Sequence, residues 1–155
     1  MTIHAEQTIQ DKQGLNGIES MMELTRKGEY GVRGIIYLAQ QEPGHVVLMN
    51  EIAAAIQAPP NFLAKILQSF TKLGIVKSFR GTGGGFAIGR PASTISLREV
   101  VEAVEGPIMP NRCLIADGAC DRDDCCNVHQ IWHKVQSSIL DILESVTIEE
   151  MAKNN

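Results

Sequence analysis

The segment 80–84 reads Arg-Gly-Thr-Gly-Gly and limits what this chain can fold into more than any other feature. Glycine is unfavourable inside a helix and accepts the left-handed backbone angles of tight turns, so this segment is predicted to be a loop. Residues 75–79 alternate like a strand, and residues 85–88 form a second short strand pattern. Together they predict a β-hairpin with a cation, Arg80, at the base of its loop.

Three helical segments precede this hairpin. The first follows Thr25 as N-cap, carries an apolar stripe at helical spacing and ends at Pro43-Gly44. The second is short, with Asn50 as its predicted N-cap, and the third has Pro60 in its first turn and ends near Gly74. Two short helices joined by a tight turn and followed by a hairpin predict a winged helix-turn-helix, a mainly α fold with a small β-hairpin wing.

The glycine-rich loop has an alternative interpretation as a phosphate cradle for a nucleotide. Such a cradle lies between a strand and a helix, so that the helix N-terminus faces the phosphates. Here a strand follows the loop, and no Lys-Ser/Thr pair comes after it. The order of elements therefore favours a wing, and it also argues against an ordinary helical hairpin for the two short helices.

The charge distribution is consistent with a nucleic-acid partner, although the total charge is not. The 155 residues have a formal net charge of −4, which by itself argues against DNA binding. Residues 22–91, however, contain eight basic and four acidic residues, whereas residues 92–155 contain five basic and eleven acidic ones. A basic module joined to an acidic region is a cue for a binding head with a separate partner region.

The region after the hairpin divides into a short helix, a loop and a long helix. Ser96 and Glu99 have capping-box spacing, and Gly106-Pro107 ends the short helix. We expect a winged-helix domain over 22–106, a cysteine loop over 107–126 and a helix over 127–147 whose heptad-like apolar seam packs against a second copy of the chain. Residues 1–21 show no periodic apolar face and are expected to be a disordered extension or tag.

All four cysteines lie in the loop, at positions 113, 120, 125 and 126, and His129 follows. Clustered cysteines in a chain without a secretory signal, which we expect to be cytoplasmic, more often bind metal than form disulfides. Their spacing lacks the tight C-x2-C pairs of structural zinc sites and favours a larger object such as an iron–sulfur cluster. Cys125 and Cys126 compete for one ligand position, of which Cys126 is preferred because of its spacing to His129, and His133 is a weaker candidate.

The sequence gives little support for an enzyme or a membrane protein. It has no HExxH or GxSxG motif, no paired carboxylates in an apolar setting and no 18-residue apolar run. The competing hypothesis from another class is a thiol or metal-transfer protein that uses the cysteine loop. A further alternative keeps the regulator but replaces the cluster with structural zinc or with plain thiols that sense oxidation or a metabolite.

Two segments resemble one known family. Residues 22–33, Met-Glu-Leu-Thr-Arg-Lys-Gly-Glu-Tyr-Gly-Val-Arg, are similar to the opening of the IscR/NsrR family of winged-helix regulators, and residues 80–86 are similar to its wing. The resemblance spans about 22–145. It implies a homodimeric transcription factor, a repressor or an activator, that binds a double-stranded DNA operator. It also implies a [2Fe-2S] cluster, with a [4Fe-4S] cluster or zinc as alternatives, that senses iron–sulfur status, redox stress or nitric oxide.

The resemblance also assigns residues to these roles. The implied cluster ligands are Cys113, Cys120, Cys126 and His129, with Cys125 and Glu29 of the partner subunit as alternatives. The implied DNA contacts fall on the first helix (Thr25, Arg26, Lys27, Tyr30), the recognition helix (Pro60, Asn61, Lys65, Gln68) and the wing (Arg80, Gly83, Gly84). The recognition helix would read base edges in the major groove, Arg80 would enter the minor groove and the first helix would contact phosphates.

Overall fold

The computed structural model describes residues 23–115, 118, 120–122 and 125–154, so the extension predicted over 1–21 lies outside the described residues. Helix α1 spans Arg26–Ala39, α2 spans Met49–Ala55 and α3 spans Pro60–Lys72. The predicted N-cap of α1 is confirmed, because the Thr25 side chain accepts a hydrogen bond from the Gly28 amide. Pro60 opens α3 as predicted, since proline lacks only an amide hydrogen that the first turn leaves unpaired.

Helix α2 begins two residues earlier than the sequence pattern predicts. Its N-cap is Leu48, which makes no side-chain capping bond, so the prediction of Asn50 is wrong. The reason is the residue before it: Val47 exchanges two backbone hydrogen bonds with Phe86, each 2.8 Å long. This isolated bridge holds the chain against the hairpin and fixes where α2 starts.

The wing forms as predicted from two antiparallel strands, β1 (Val76–Phe79) and β2 (Gly85–Ile88). Its loop needs glycine at two positions, because Gly81 and Gly83 have φ angles of 91° and 76°, in the left-handed region. Gly85 is required for a different reason: a Cβ there would collide with the Val47 carbonyl oxygen. The glycines of this segment thus permit both the tight turn and the close approach of Val47 to β2.

After the wing, α4 spans Leu97–Glu105, α5 spans His129–Ser145 and α6 spans Ile148–Lys153. Ser96 accepts a hydrogen bond from the Glu99 amide, but the Glu99 carboxylate pairs with Arg90, so only half of the predicted capping box forms. Short 3-10 turns lie at Ala92–Thr94 and Arg112–Leu114. The long helix expected over 127–147 spans only His129–Ser145, and a separate helix, α6, follows two extended residues, Val146 and Thr147.

Helix α6 returns the chain to the head formed by α1–α4 and the wing, which sequence reasoning did not predict. Ile148 is 0% exposed and belongs to the same core cluster as Ile35 and Phe70. The Ile148 amide donates to the Ile95 carbonyl at 2.9 Å, and the Leu97 amide donates to Val146 at 2.8 Å. Within the described residues, no helix has the length and apolar character needed to cross a membrane.

Candidate nucleic-acid interface and cysteine loop

Helix α3 has an apolar face turned inward and a polar face turned to solvent. The inward residues are all 0% exposed: Leu63, Ile66, Leu67 and Phe70. The residues that the sequence assigns to base reading are all exposed: Pro60, Asn61, Lys65 and Gln68. Amides and an ammonium on the open face of the second helix of a helix-turn-helix are hydrogen-bonding groups suited to base edges.

On the wing, Arg80 directly follows Phe79 in the sequence, and both residues are exposed. Arg80 and Gly83 are exposed, whereas Gly84 is half-buried, and a Cβ at Gly84 would collide with the Phe79 carbonyl oxygen. Gly84 therefore has a structural role in the turn. Phe79 is 45% exposed because its partner across the hairpin is Gly85, which has no side chain to cover it. Sequence reasoning treated Phe79 only as a strand residue, although its position opposite a glycine was a usable signal.

The N-terminus of α1 is tied to the C-terminus of α4. The Thr25 amide and hydroxyl both donate to Oε1 of Glu105, at 3.0 and 2.7 Å. Lys27 Nζ donates to the Val104 carbonyl at 2.8 Å, as expected for a cation near the negative end of a helix dipole. Lys27, expected to contact phosphate, thus holds α4 in this structure, and Glu105 is a residue of this surface that sequence reasoning missed.

Arg26, Glu29 and Tyr30 lie at the same helix end, where Arg26 is exposed and Glu29 and Tyr30 are half-buried. Arg26 is 79% exposed and forms an ion pair with Glu29 at 3.3 Å. A surface ion pair of this kind contributes little to stability, so it leaves Arg26 available for phosphate. Tyr30 packs edge-on against Phe62 of α3, with ring centroids 6.1 Å apart, and so joins α1 to the start of the recognition helix.

A second contact joins α1 to the first turn of α2. The Tyr37 hydroxyl donates to Oε1 of Glu51 at 3.3 Å. Burial of the ring, followed by the nearby Glu51 carboxylate, raises the pKa of Tyr37 above its ordinary value. The hydroxyl therefore keeps its proton and remains a donor across the physiological pH range.

The cysteine loop begins directly after α4 and ends at α5. Cys113 lies in the short 3-10 turn, and Cys120, Cys125 and Cys126 follow, with Cys125 the most open to solvent. Cys126 precedes α5, and its carbonyl accepts a hydrogen bond from the His129 amide at 3.1 Å. No three His, Cys, Asp or Glu side chains of the described residues converge on a single point.

Two histidines meet at the start of α5. His129 is the first residue of this helix and His133 lies one turn further on. Their Nε2 atoms are 3.0 Å apart, and their ring centroids are 4.6 Å apart with planes inclined by 78°. The loop and the start of α5 thus carry four thiols and two imidazoles along the chain, and the chemistry of these donors suits an iron–sulfur cluster or zinc.

A winged helix with a polar recognition face and a cation on its wing defines a DNA-binding transcriptional regulator. The chain belongs to the Rrf2 family, because that family's model, described as an iron-dependent transcriptional regulator, matches residues 24–154. The family resemblance and the fold class inferred from the sequence are therefore confirmed. The relatives are regulators of transcription and not enzymes, as expected.

Individual relatives agree with this assignment. The HTH-type transcriptional regulator IscR of Xenorhabdus nematophila is 32% identical over 133 residues, which cover 86% of this chain and 80% of the relative. The solved structure of IscR from T. potens is 28% identical, with a TM-score of 0.69 over 86% of this chain and 88% of that one. CymR, the global cysteine regulator of B. subtilis, is 25% identical, with a TM-score of 0.71 over 86% of this chain and 98% of that one.

Proposed function

We propose that this protein is a homodimeric, sequence-specific regulator of transcription that acts in the cytoplasm and holds an iron–sulfur cluster in its cysteine loop. The observation that carries the DNA-binding part is the combination of two exposed features: the polar face of α3 and the cation on the wing. An α-helix fits the major groove and an arginine is attracted to a narrow minor groove, so one head can engage both grooves.

Each group of residues has a separate task on DNA. Asn61 and Gln68 carry amides that can pair with adenine, and Lys65 can donate to guanine. Arg26 and Tyr30 would contact phosphates, which positions the head without reading sequence. Thr25 and Lys27 act indirectly, because their bonds to α4 orient the end of α1.

Replacing Arg80 with alanine tests the wing. We expect operator affinity to fall by about 1–3 kcal/mol, which is roughly 5- to 150-fold. The slope of log affinity against log salt should also decrease by about one, because one phosphate or minor-groove contact is lost. The operator can be obtained by selection from random DNA, and affinity can be measured by fluorescence anisotropy over a salt series.

Lys153→Ala is the matched control for this substitution. It removes one positive charge from α6, where Lys153 pairs with Glu149 at 3.1 Å and no DNA contact is proposed. Its effect on affinity should be small. An equal loss in both variants would mean that only net charge matters, and no loss in Arg80→Ala would refute the proposed wing contact.

The dimer proposal rests on a stripe of exposed apolar side chains along α5. Val128, Ile131 and Ile142 are 52%, 52% and 64% exposed, and this 17-residue helix has no fully buried residue. Val128 is the N-cap of α5, and it lies three residues before Ile131, which lies eleven residues, about three turns, before Ile142. The three side chains therefore share one face of the helix. A second copy of the same stripe would cover them and place two recognition heads on one operator.

The proposed cluster ligands are Cys113, Cys120, Cys126 and His129, with Cys125 and Glu29 of the partner subunit as alternatives. The support is the thiolate-rich donor set and the similarity to IscR. When bound, such a cluster supplies a redox-active centre that oxidants and nitric oxide attack. The loop directly follows Val104 and Glu105, the last two residues of α4. A rearrangement of the loop that displaced these two residues would also displace Thr25 and Lys27 at the DNA-facing end of α1.

Anaerobic purification tests the cluster directly. We expect stoichiometric iron and acid-labile sulfide, with charge-transfer absorption that disappears when Cys113 and Cys120 are replaced by serine. DNA affinity, measured with and without the cluster, should then differ, since only a state with different affinity can transmit a signal. Stoichiometric zinc without iron or sulfide would contradict the proposal.

In the second candidate function, the protein is a regulator with the same DNA-binding head but without an iron–sulfur cluster. It is favoured by the similarity to CymR, which is described as a cysteine regulator, and by the exposed thiol of Cys125. In that case the loop would bind zinc, or its thiols would sense oxidation or a metabolite. The iron, sulfide and zinc content of the anaerobically purified protein distinguishes the two candidate functions.

A further inference from the structure

The histidine pair at the start of α5 has the geometry of a metal chelate. His129 and His133 are four residues apart on a helix, so their side chains lie on one face. The two Nε2 atoms approach to 3.0 Å and the ring planes are inclined by 78°. This spacing on a helix is the one by which two histidines of the HExxH motif hold a single zinc ion.

The distance between the nitrogens fixes the bond angle at such an ion. With metal–nitrogen bonds of about 2.0–2.1 Å, two nitrogens 3.0 Å apart subtend an angle of roughly 90–97° at the metal. That angle is the one between neighbouring ligands of an octahedral or square-planar ion. A geometry of this kind suits Ni²⁺ and Cu²⁺, and imidazole is a preferred ligand of both.

We propose that His129 and His133 form a two-imidazole site for one divalent late transition-metal ion, with water at its remaining positions. His133 is exposed and His129 is half-buried, so an ion can reach the pair from solvent. The C-terminal part of the chain that carries the pair is acidic, since residues 92–155 contain eleven acidic and five basic residues, which favours a cation. Among the described residues no third His, Cys, Asp or Glu converges with the pair.

This site has a consequence for the cluster, which rests on the proposed function. His129 is also a proposed cluster ligand, and one Nε2 lone pair cannot bind two metals. A divalent ion held by the pair would therefore exclude His129 from the cluster. The pair would then make cluster assembly sensitive to the supply of the competing ion.

The test uses the full chain and isolates the imidazoles from the thiols. In a parent variant with Cys113, Cys120, Cys125 and Cys126 replaced by serine, calorimetric titration with Ni²⁺ should show one ion bound per chain. His133→Gln in this parent should weaken Ni²⁺ binding by at least about tenfold, because a chelate becomes a single ligand. His45→Gln is the matched control, since His45 is exposed in the loop after α1, far along the chain from the pair.

Several outcomes would overturn the chelate: equal Ni²⁺ affinity in the parent and His133→Gln, or equal losses in His133→Gln and His45→Gln. If the four-serine parent does not fold, the same titration is made on wild-type chain whose thiols are alkylated, with the same two histidine variants. Cluster reconstitution of the wild-type chain is assayed separately by iron and sulfide content. Failure of that assay with intact Ni²⁺ binding refutes the cluster and leaves the chelate standing, and the converse result refutes the chelate alone.

Discussion

Replacing Ile142 with aspartate is expected to convert the protein to monomers and to lower its operator affinity by about 10²–10⁴-fold. Ile142 is the most exposed of the large apolar residues on α5, with 64% of its surface accessible. A carboxylate there would have to be desolvated against the same stripe of a second copy, which is strongly unfavourable. Without the dimer, the second head no longer benefits from the high effective concentration that the first provides. Sedimentation velocity and anisotropy on a two-half-site operator measure both effects.

Ser137→Asp is the control for this experiment. Ser137 is exposed on the same helix but lies on the side away from the apolar stripe. An aspartate at this position therefore adds the same charge to α5 outside the stripe. We expect Ser137→Asp to remain dimeric with nearly unchanged affinity. A dimeric Ile142→Asp variant would show that the stripe on α5 is not the interface between copies. Dissociation of both variants would mean that charge on α5, and not the stripe, controls assembly.

Replacing Ile148 with alanine is expected to destabilise the fold by about 2–5 kcal/mol. Ile148 lies in α6 but is 0% exposed in the core of the head, so truncation leaves a cavity among well-packed side chains. Urea denaturation followed by circular dichroism should show a lower midpoint with an unchanged slope. The wild-type protein and the Ile148→Ala variant must be compared at the same protomer concentration, because assembly contributes to apparent stability.

The variant Ile115→Ala provides the comparison for Ile148→Ala. Ile115 is 58% exposed at the end of the 3-10 turn of the cysteine loop, so its truncation removes little buried surface. Its effect should be within about 0.5 kcal/mol. If Ile148→Ala behaved like Ile115→Ala, α6 would not be part of the core of the head.

The head of the molecule was predictable because its signals are local. The cap at Thr25, the proline at the start of α3 and the glycines of the wing each specify backbone geometry within a few residues. The start of α2 was missed because Val47 is held by Phe86, a partner 39 positions along the chain. A contact between residues so far apart along the chain produces no periodic pattern in the sequence.

The start of helix α6 was predictable from the sequence, but the sequence analysis missed it. Thr147 and Glu150 form a full capping box, with both reciprocal hydrogen bonds, which is a local signal for a helix start. What no local signal could give is that Ile148 would be buried against α1. The tie between Thr25 and Glu105, 80 residues apart, is equally non-local.

The cysteine loop was the least predictable part of the candidate site. The sequence identified the available donor atoms, and their chemistry narrows the possible metals. The spacing of cysteines in an irregular loop does not fix which of them converge, because such a segment has no repeating geometry. The meeting of His129 and His133 was more accessible, since a helix fixes residues four apart on one face.

The position of Ile148 at the far end of the chain governs the order in which the molecule matures. A ribosome delivers about 5–20 residues per second, and everything from α1 to the end of α5 leaves it before α6 does. The DNA-reading head therefore lacks part of its core until the cysteine loop has been synthesised. A nascent or prematurely terminated chain that ends before Ile148 would lack this core residue, so the head completes its core only after the cysteine loop has been synthesised.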